Sequence, residues 1–351
     1  MEATMEALVV ESPGRFEVRE VEVPRPGRLE VLSRVRAVAI CGTDPHIIKG
    51  DFQGFWPKAF PFTPGHEWSG DVIAVGEGAE HFGWAVGDRV AGTSHAGCGV
   101  CRKCVEGRYN VCENYGRESV HRQYGHYTQG CYATYVVHSI KSVFKIPDQL
   151  GYEEAAVLDP AAIALHTVRR GGVQAGDSVA ITGPGVMGIL VAECAKATGA
   201  GRVIVLGRGA RLSKVRELGY ETVDVSRGDP VAAVREITGG LGVEVALECA
   251  GAPESLQWCV AMLRRGGRCA VVGIPLSGVA LPIQKMVLDE LEVVGVRASA
   301  GEMTQVMPLV VDGRIRVGAL ITHRYALRDF AEAYRVFTER VDGALKVIVQ
   351  P

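Results

Sequence analysis

The chain has 351 residues, 47% hydrophobic and 22% charged, with a formal net charge of −2. That length allows two domains with proper cores, and the near-neutral balance gives no electrostatic reason to expect nucleic acid or an anionic membrane surface as partner. No apolar stretch reaches the ~20 residues a bilayer-spanning helix needs, and the start Met1-Glu2-Ala3-Thr4-Met5-Glu6 has no basic segment leading into an apolar run, so a soluble, cytoplasmic protein is expected.

The first 150 residues read as short strands and loops, with β-rich runs bounded by Gly and Pro at 7–10, 16–20, 30–39, 69–75, 89–92 and 133–138. This half is mostly β. Within it, Cys41-Gly42-Thr43-Asp44-Pro45-His46 and Gly65-His66-Glu67-Trp68-Ser69-Gly70 place two metal-ligating side-chain types, Cys41 and His66, at strand-to-loop breaks where they can converge. Further candidates are Asp159, set in Ala155-Ala156-Val157-Leu158-Asp159-Pro160, and Glu67. A carboxylate in so apolar a setting as Asp159's stays buried only when paired or metal-bound, and Glu67 either ligates directly or orients His66. Phe52, Phe55, Trp56, Phe60 and Phe62 crowd the stretch between the two motifs. They either wall a substrate pocket or make core and subunit contacts.

The run Cys98-Gly99-Val100-Cys101-Arg102-Lys103-Cys104, closed by Cys112, has the spacing of a tetrathiolate metal site. Four soft thiolates suit zinc or an iron–sulfur cluster. A ferredoxin-type run would put the fourth cysteine three residues after the third and follow it with proline, whereas here seven residues intervene and Glu113 follows. Zinc is favoured, and a closed shell of four leaves no position open for chemistry. A finger-like nucleic-acid reading needs a basic face, and Arg102, Lys103 and Arg108 are too few beside Glu106 and Glu113.

From about Gly176 the texture changes to strands at 178–182, 202–206, 222–225, 244–248, 268–273 and 291–296, with helix-period segments between most of them. Such alternation predicts an α/β fold with a doubly wound parallel sheet. Gly183-Pro184-Gly185-Val186-Met187-Gly188 follows the first of these strands and opens an apolar helical stretch, the context a dinucleotide fingerprint needs. The glycines permit a tight turn and close approach of a pyrophosphate to backbone N–H groups. An NAD site places a carboxylate at the end of the second strand, but here Gly207 stands there, with Arg208 and Arg211 beyond. A small residue followed by guanidinium groups favours a 2′-phosphate, and so NADP over NAD. The last fifty residues carry a helical stretch near 327–339 and a final strand at 344–349.

Taken together, Cys41-Gly42-Thr43-Asp44 with His46, Gly65-His66-Glu67 with Gly70 and Gly76, Val86-Gly87-Asp88-Arg89-Val90, the four-cysteine lobe and the run Gly183 to Gly188 resemble the zinc-dependent medium-chain alcohol dehydrogenases, in their polyol and threonine dehydrogenase branch. The likeness covers essentially the whole chain. It implies a mostly-β, GroES-like catalytic domain over 1–157 holding both zinc sites, a Rossmann domain over 158–297, and a segment 298–351 that completes the catalytic domain. It further implies Cys41 and His66 as catalytic zinc ligands, Glu67 as ligand or exchangeable ligand, and Asp159 at the place of the branch's usual glutamate, one methylene shorter. Thr43 and His46 match the family's proton-relay hydroxyl and imidazole. Ala250, Gly273, Ile274 and Arg297 are expected along the nicotinamide, at the carboxyl ends of the parallel strands. The implied activity is hydride transfer between a nicotinamide cofactor and a secondary alcohol or ketone such as a polyol, sugar or amino alcohol, in a homotetramer or else a dimer. A zinc-free quinone or enone reductase of the same superfamily would lack Cys41, His66 and the cysteine lobe.

Overall fold

Ser33-Arg34-Val35-Arg36-Ala37 alternates buried and exposed side chains, the period of a strand with one face on a core. It lies in the strand Glu30–Ala39, at the centre of a seven-stranded sheet in a computed structural model that describes residues 3–52, 54–275 and 277–351. The strand order is Ile321–Ala326, Lys346–Gln350, Glu30–Ala39, Glu67–Val75, Arg89–Gly92 and Val143–Lys145, with Tyr135–Ser139 also paired to Glu30–Ala39. All these pairings are antiparallel except that of Ile321–Ala326 with Lys346–Gln350. Leu8, Val35, Val38, Trp68, Tyr132, Phe330 and Val347 fill the core beneath.

This mostly-β unit comprises Met1–Asp159 together with Val317–Pro351, and a second unit spans Pro160–Arg316. The boundary expected at 297 therefore lies further on, at Arg316. Residues 298–316 belong to the second unit because Glu302 Oε1 lies 2.9 Å from His166 Nδ1 and Arg316 pairs with Glu193 at 2.6 Å. The expected end at 157 moves by two residues, since Asp159 still belongs to the first unit.

In the second unit six parallel strands follow the order Glu221–Asp224, Arg202–Gly207, Ser178–Thr182, Val243–Glu248, Leu263–Val271 and Glu292–Gly295. Val179, Ala180 and Ile181 are all fully buried, the continuous apolar run of a strand covered on both faces. The helix Val186–Thr198 is buried from Gly188 through Ala195 and stops at Gly199, whose φ of +108° no larger residue adopts cheaply. The order reverses between the strands Ser178–Thr182 and Val243–Glu248, and that crevice at the carboxyl ends is where such sheets bind a dinucleotide.

Candidate active site

Among the described residues, two groups of side chains bring their ligand atoms within 4.8 Å of one another: Cys98, Cys101, Cys104 and Cys112, and Cys41, His66 and Glu67. In the first group no thiol is in a disulfide, and the Sγ atoms of Cys98 and Cys104 lie 3.9 Å apart, those of Cys101 and Cys112 3.8 Å. The Cys101 N–H and the Asn114 side-chain amide each donate to Cys98 Sγ at 3.3 Å, and the Asn114 N–H reaches Cys112 Sγ at 3.4 Å. Burial alone would raise the Cys98 thiol, but the donors Asn114, Val100 and Cys101 outweigh it and bring it down to about 6. A cage of four thiols with N–H donors on its sulfurs fits a structural zinc.

The second group is built where Glu30–Ala39 ends and Glu67–Val75 begins, adjacent antiparallel strands with Ala39 opposite Glu67. Cys41 follows the first strand, ahead of the helix Asp44–Lys49, and His66 precedes the second. Burial, and then the charge of Glu67, push the Cys41 thiol well up, so a thiolate here requires a cation beside it. Asp44 is fully buried; its Oδ2 accepts from the Cys41 N–H at 2.9 Å and the Tyr132 hydroxyl at 2.7 Å, and its Oδ1 lies 3.7 Å from His66 Nδ1. One buried oxygen each of Asp44 (Oδ1) and Asp159 (Oδ2) and the Nδ1 of His66 have no hydrogen-bond partner, an unusual concentration of unsatisfied polar atoms around the three ligands. The donor set of one sulfur, one imidazole and one carboxylate fits zinc with a position left open.

Asp159 stands apart from that set. It is buried, and burial followed by the charge of Glu67 raises its carboxyl well above the usual range. Its side chain, one methylene shorter than a glutamate, is not among the ligand atoms within 4.8 Å. Two residues in contact with this cluster are not singled out by the sequence. Asp44 was visible only as part of a motif, while Lys346, whose Nζ donates to the Ile40 carbonyl at 3.1 Å and to the Glu67 carboxylate, had one signal: it is the lone cation in Ala344-Leu345-Lys346-Val347-Ile348-Val349.

Around the centre, the Thr43 hydroxyl oxygen is buried beside Cys41. His46 is partly exposed, with Nδ1 2.6 Å from Asp51 Oδ2. Ring contacts run from His46 to Phe52 at 5.8 Å, Phe52 to Trp56 at 5.4 Å, Trp56 to His126 at 4.7 Å and His126 to His66 at 4.5 Å. Phe62, by contrast, is a core residue paired with Val10. The aromatic stretch thus divides between rings that approach His66 and a core residue.

In the second unit Gly183 makes the turn after Ser178–Thr182 with φ +92°, and Gly185 caps the helix that begins Val186-Met187-Gly188. A Cβ on Gly188 would lie 1.9 Å from the Gly183 carbonyl oxygen, so only glycine lets the helix close on the turn. The first-turn N–H groups that have no partner within the helix are the groups a pyrophosphate takes. Arg211 reaches back to this turn, since a Cβ on Gly185 would be 3.7 Å from its Nη1; Arg208, the N-cap of the helix Gly209–Glu217, is exposed. At Gly207 a Cβ would lie 2.2 Å from Pro184 Cδ. Ala250, Gly273, Ile274 and Arg297 follow the carboxyl ends of Val243–Glu248, Leu263–Val271 and Glu292–Gly295.

Residues 27–148 match the family described as alcohol dehydrogenase GroES-like domain, and residues 186–312 the one described as zinc-binding dehydrogenase. Sorbitol dehydrogenase of Bacillus subtilis strain 168 is 33% identical over 350 residues, covering 99% of this chain and 97% of its own. The chain belongs to the zinc-dependent alcohol dehydrogenase family. L-threonine 3-dehydrogenase of Escherichia coli K12 is 32% identical over 333 residues, 94% of either protein. A zinc-binding dehydrogenase of Sinorhizobium meliloti 1021, solved bound to NADP, is 33% identical and superimposes with a TM-score of 0.89 over the full length of both chains. This dehydrogenase is accordingly an NAD(P)-dependent oxidoreductase acting on CH–OH donors, with a GroES-like domain and a Rossmann-like parallel sheet. Among the described residues no helix is long and apolar enough to cross a membrane.

Proposed function

We propose that this dehydrogenase interconverts a secondary alcohol and its ketone, with a polyol, sugar or amino alcohol as substrate and NADP preferred over NAD. The observation that carries this reading is the convergence of Cys41, His66 and Glu67 within 4.8 Å. Those three residues would hold the catalytic zinc, with Asp159 outside the set, and Cys98, Cys101, Cys104 and Cys112 the structural one. A zinc ion held by Cys41, His66 and Glu67 would supply a Lewis acid that lowers an alcohol's pKa toward neutrality, and a bound nicotinamide would supply the hydride acceptor.

The chain's own groups handle position and proton. Asp44 orients His66, and Lys346, paired with Glu67, fixes where its carboxylate lies. Thr43 Oγ1 would accept the alcohol proton while passing its own hydrogen on toward a bound cofactor's ribose hydroxyls, and His46, held by Asp51 and partly exposed, would release a proton to solvent, a role suited to an imidazole. The ring series Phe52, Trp56 and His126 supports a substrate wall beside the metal ligands. NADP is supported by Arg208 and Arg211 and by the packing of Pro184 over Gly207; the similarity to a relative solved with NADP agrees with it. A homo-oligomer, a tetramer or else a dimer, is supported by Ile283, Val287 and Leu288, exposed on the helix Ile283–Leu288 that precedes the terminal strand Glu292–Gly295 of the six-stranded sheet.

Metal analysis together with a panel of polyols, sugars, amino alcohols and ketones, each assayed with both cofactors, tests the reading. Two zincs per chain with cofactor-dependent turnover are expected. One zinc and no turnover would overturn it.

A further inference from the structure

Glu248 is the last residue of the strand Val243–Glu248, 1% exposed, and no role described so far uses it. A buried carboxylate demands donors, and it has them: its Oε1 accepts from the N–H of Ala250 at 2.8 Å and of Gly251 at 2.9 Å, with the Ser255 hydroxyl at 2.6 Å and the Thr182 hydroxyl at 3.4 Å. Its other oxygen lies against Gly273, where a Cβ would come within 2.4 Å of Oε2. The backbone carbonyl of the same residue accepts from the N–H groups of Val272 and Gly273 at 3.0 and 3.2 Å. The turn that the carboxylate holds is packed in its turn on the fingerprint: a Cβ on Gly183 would lie 3.0 Å from Ala250. One side chain therefore ties together the carboxyl ends of Ser178–Thr182 and Val243–Glu248, the segment after Leu263–Val271, and the first turn of the helix Pro253–Met262.

In a doubly wound sheet of this order the dinucleotide lies across the reversal point, with the adenosine half over the second strand and the other nucleotide over the half that begins with the fourth. Glu248 ends that fourth strand. We propose that Glu248 is a positioning residue for the nicotinamide half of the cofactor, its carboxylate fixing the Ala250 and Gly251 turn against Gly183 and Gly273. This rests on the reading of the second unit as an NADP site.

The test is fluorescence titration of the zinc-loaded, full-length protein and its variants with NADPH and, separately, with 2′,5′-ADP, which lacks the nicotinamide. Glu248→Met should weaken NADPH at least tenfold while 2′,5′-ADP stays within twofold. Glu248→Gln keeps a carbonyl oxygen for the two N–H groups and should remain within threefold for both. A Glu248→Met protein that binds NADPH within twofold of the parent, or that loses both ligands alike, overturns the proposal. Should that variant fail to fold, Ser255→Ala removes one donor from the carboxylate and should weaken NADPH about threefold with 2′,5′-ADP unchanged; unchanged NADPH there also overturns it. If the parent binds NADH in place of NADPH, the comparison runs with NADH and 5′-AMP. A parent protein that binds neither dinucleotide refutes the cofactor reading itself, and the proposal with it.

Discussion

Gly207 stands where an NAD site would carry its carboxylate, so Gly207→Asp is the obvious route to an NAD-preferring enzyme, but the single change should fail. A Cβ at 207 comes within 2.2 Å of Pro184 Cδ and 2.3 Å of Cγ, both in a ring that cannot swing aside, and the next contact, to Pro184 Cβ, is 3.2 Å. Overpacking of this kind costs about 1–3 kcal/mol, which at about 2–4 °C per kcal/mol for a domain of 150–250 residues lowers Tm by several degrees. Pro184→Ala deletes the two offending atoms, so the double variant Pro184→Ala/Gly207→Asp should recover most of that loss. It should then express the new interaction: hydrogen bonds to a charged acceptor contribute about 1.5–3 kcal/mol, so the NAD/NADP ratio of kcat/KM rises roughly 10- to 150-fold, more if repulsion of the 2′-phosphate adds to it. The assay is steady-state kinetics with each cofactor on the parent, both single variants and the double, with a thermal melt of each. A Gly207→Asp protein as stable as the parent refutes the steric reasoning. An unchanged cofactor ratio in the double variant refutes the NADP reading.

Cys41→Ser or His66→Ala should abolish turnover and remove one zinc per chain with the fold retained, whereas Cys104→Ser should remove the other zinc and chiefly lower Tm; metal content and melting curves separate the two. Lys346→Met strands the buried Glu67 carboxylate, a class of change that costs about 3–5 kcal/mol. Because a bound dication partly replaces the lost ammonium, its Tm should fall further in chelator-treated than in zinc-loaded protein, and equal falls would count against the placement of Glu67 at the metal. Burial would raise the Glu302 carboxyl, but His166 and the Ala300 N–H outweigh it and hold it below its usual value. Its stabilising contribution is therefore present above the ordinary glutamate pKa of about 4.3 and lost as pH falls through the lower folded value. Glu302→Gln should flatten the acid limb of the Tm profile, and an unaltered limb would exclude this pair as its origin.

Periodicity and punctuation made much of this architecture legible. The strands Glu30–Ala39, Arg89–Gly92 and Ser178–Thr182 were read to the residue because Gly, Pro or polar breaks flank clear apolar patterns. The run expected at 268–273 forms the longer strand Leu263–Val271; its first part, Arg264-Arg265-Gly266, is exposed, and the pairing slips between Val243 and Val245, so no alternation marked it. The clusters that could hold a metal were legible because Cys and His are rare and their motifs local. Asp44 and Lys346 were harder: Asp44's contacts with Tyr132 and His66, and that of Lys346 with Glu67, 279 residues away, join groups distant in the sequence. The seat of residues 298–316 was equally hidden, since it is decided by two pairings, Glu302 with His166 and Arg316 with Glu193.

The seven-stranded sheet takes the strand beside its central one, Lys346–Gln350, from beyond the whole second unit, while the six-stranded sheet is made of one uninterrupted stretch. During synthesis, then, the later-encoded Rossmann-like unit can complete itself while the N-terminal unit is still waiting for its last strand. Until Lys346 clears the ribosome, Glu67 has no buried ammonium to meet, and contacts so distant along the chain form slowly. The proposed metal centre therefore matures after the Rossmann-like unit is able to fold, and a chain cut before Lys346 would carry an intact cofactor fold beside an unfinished reaction centre.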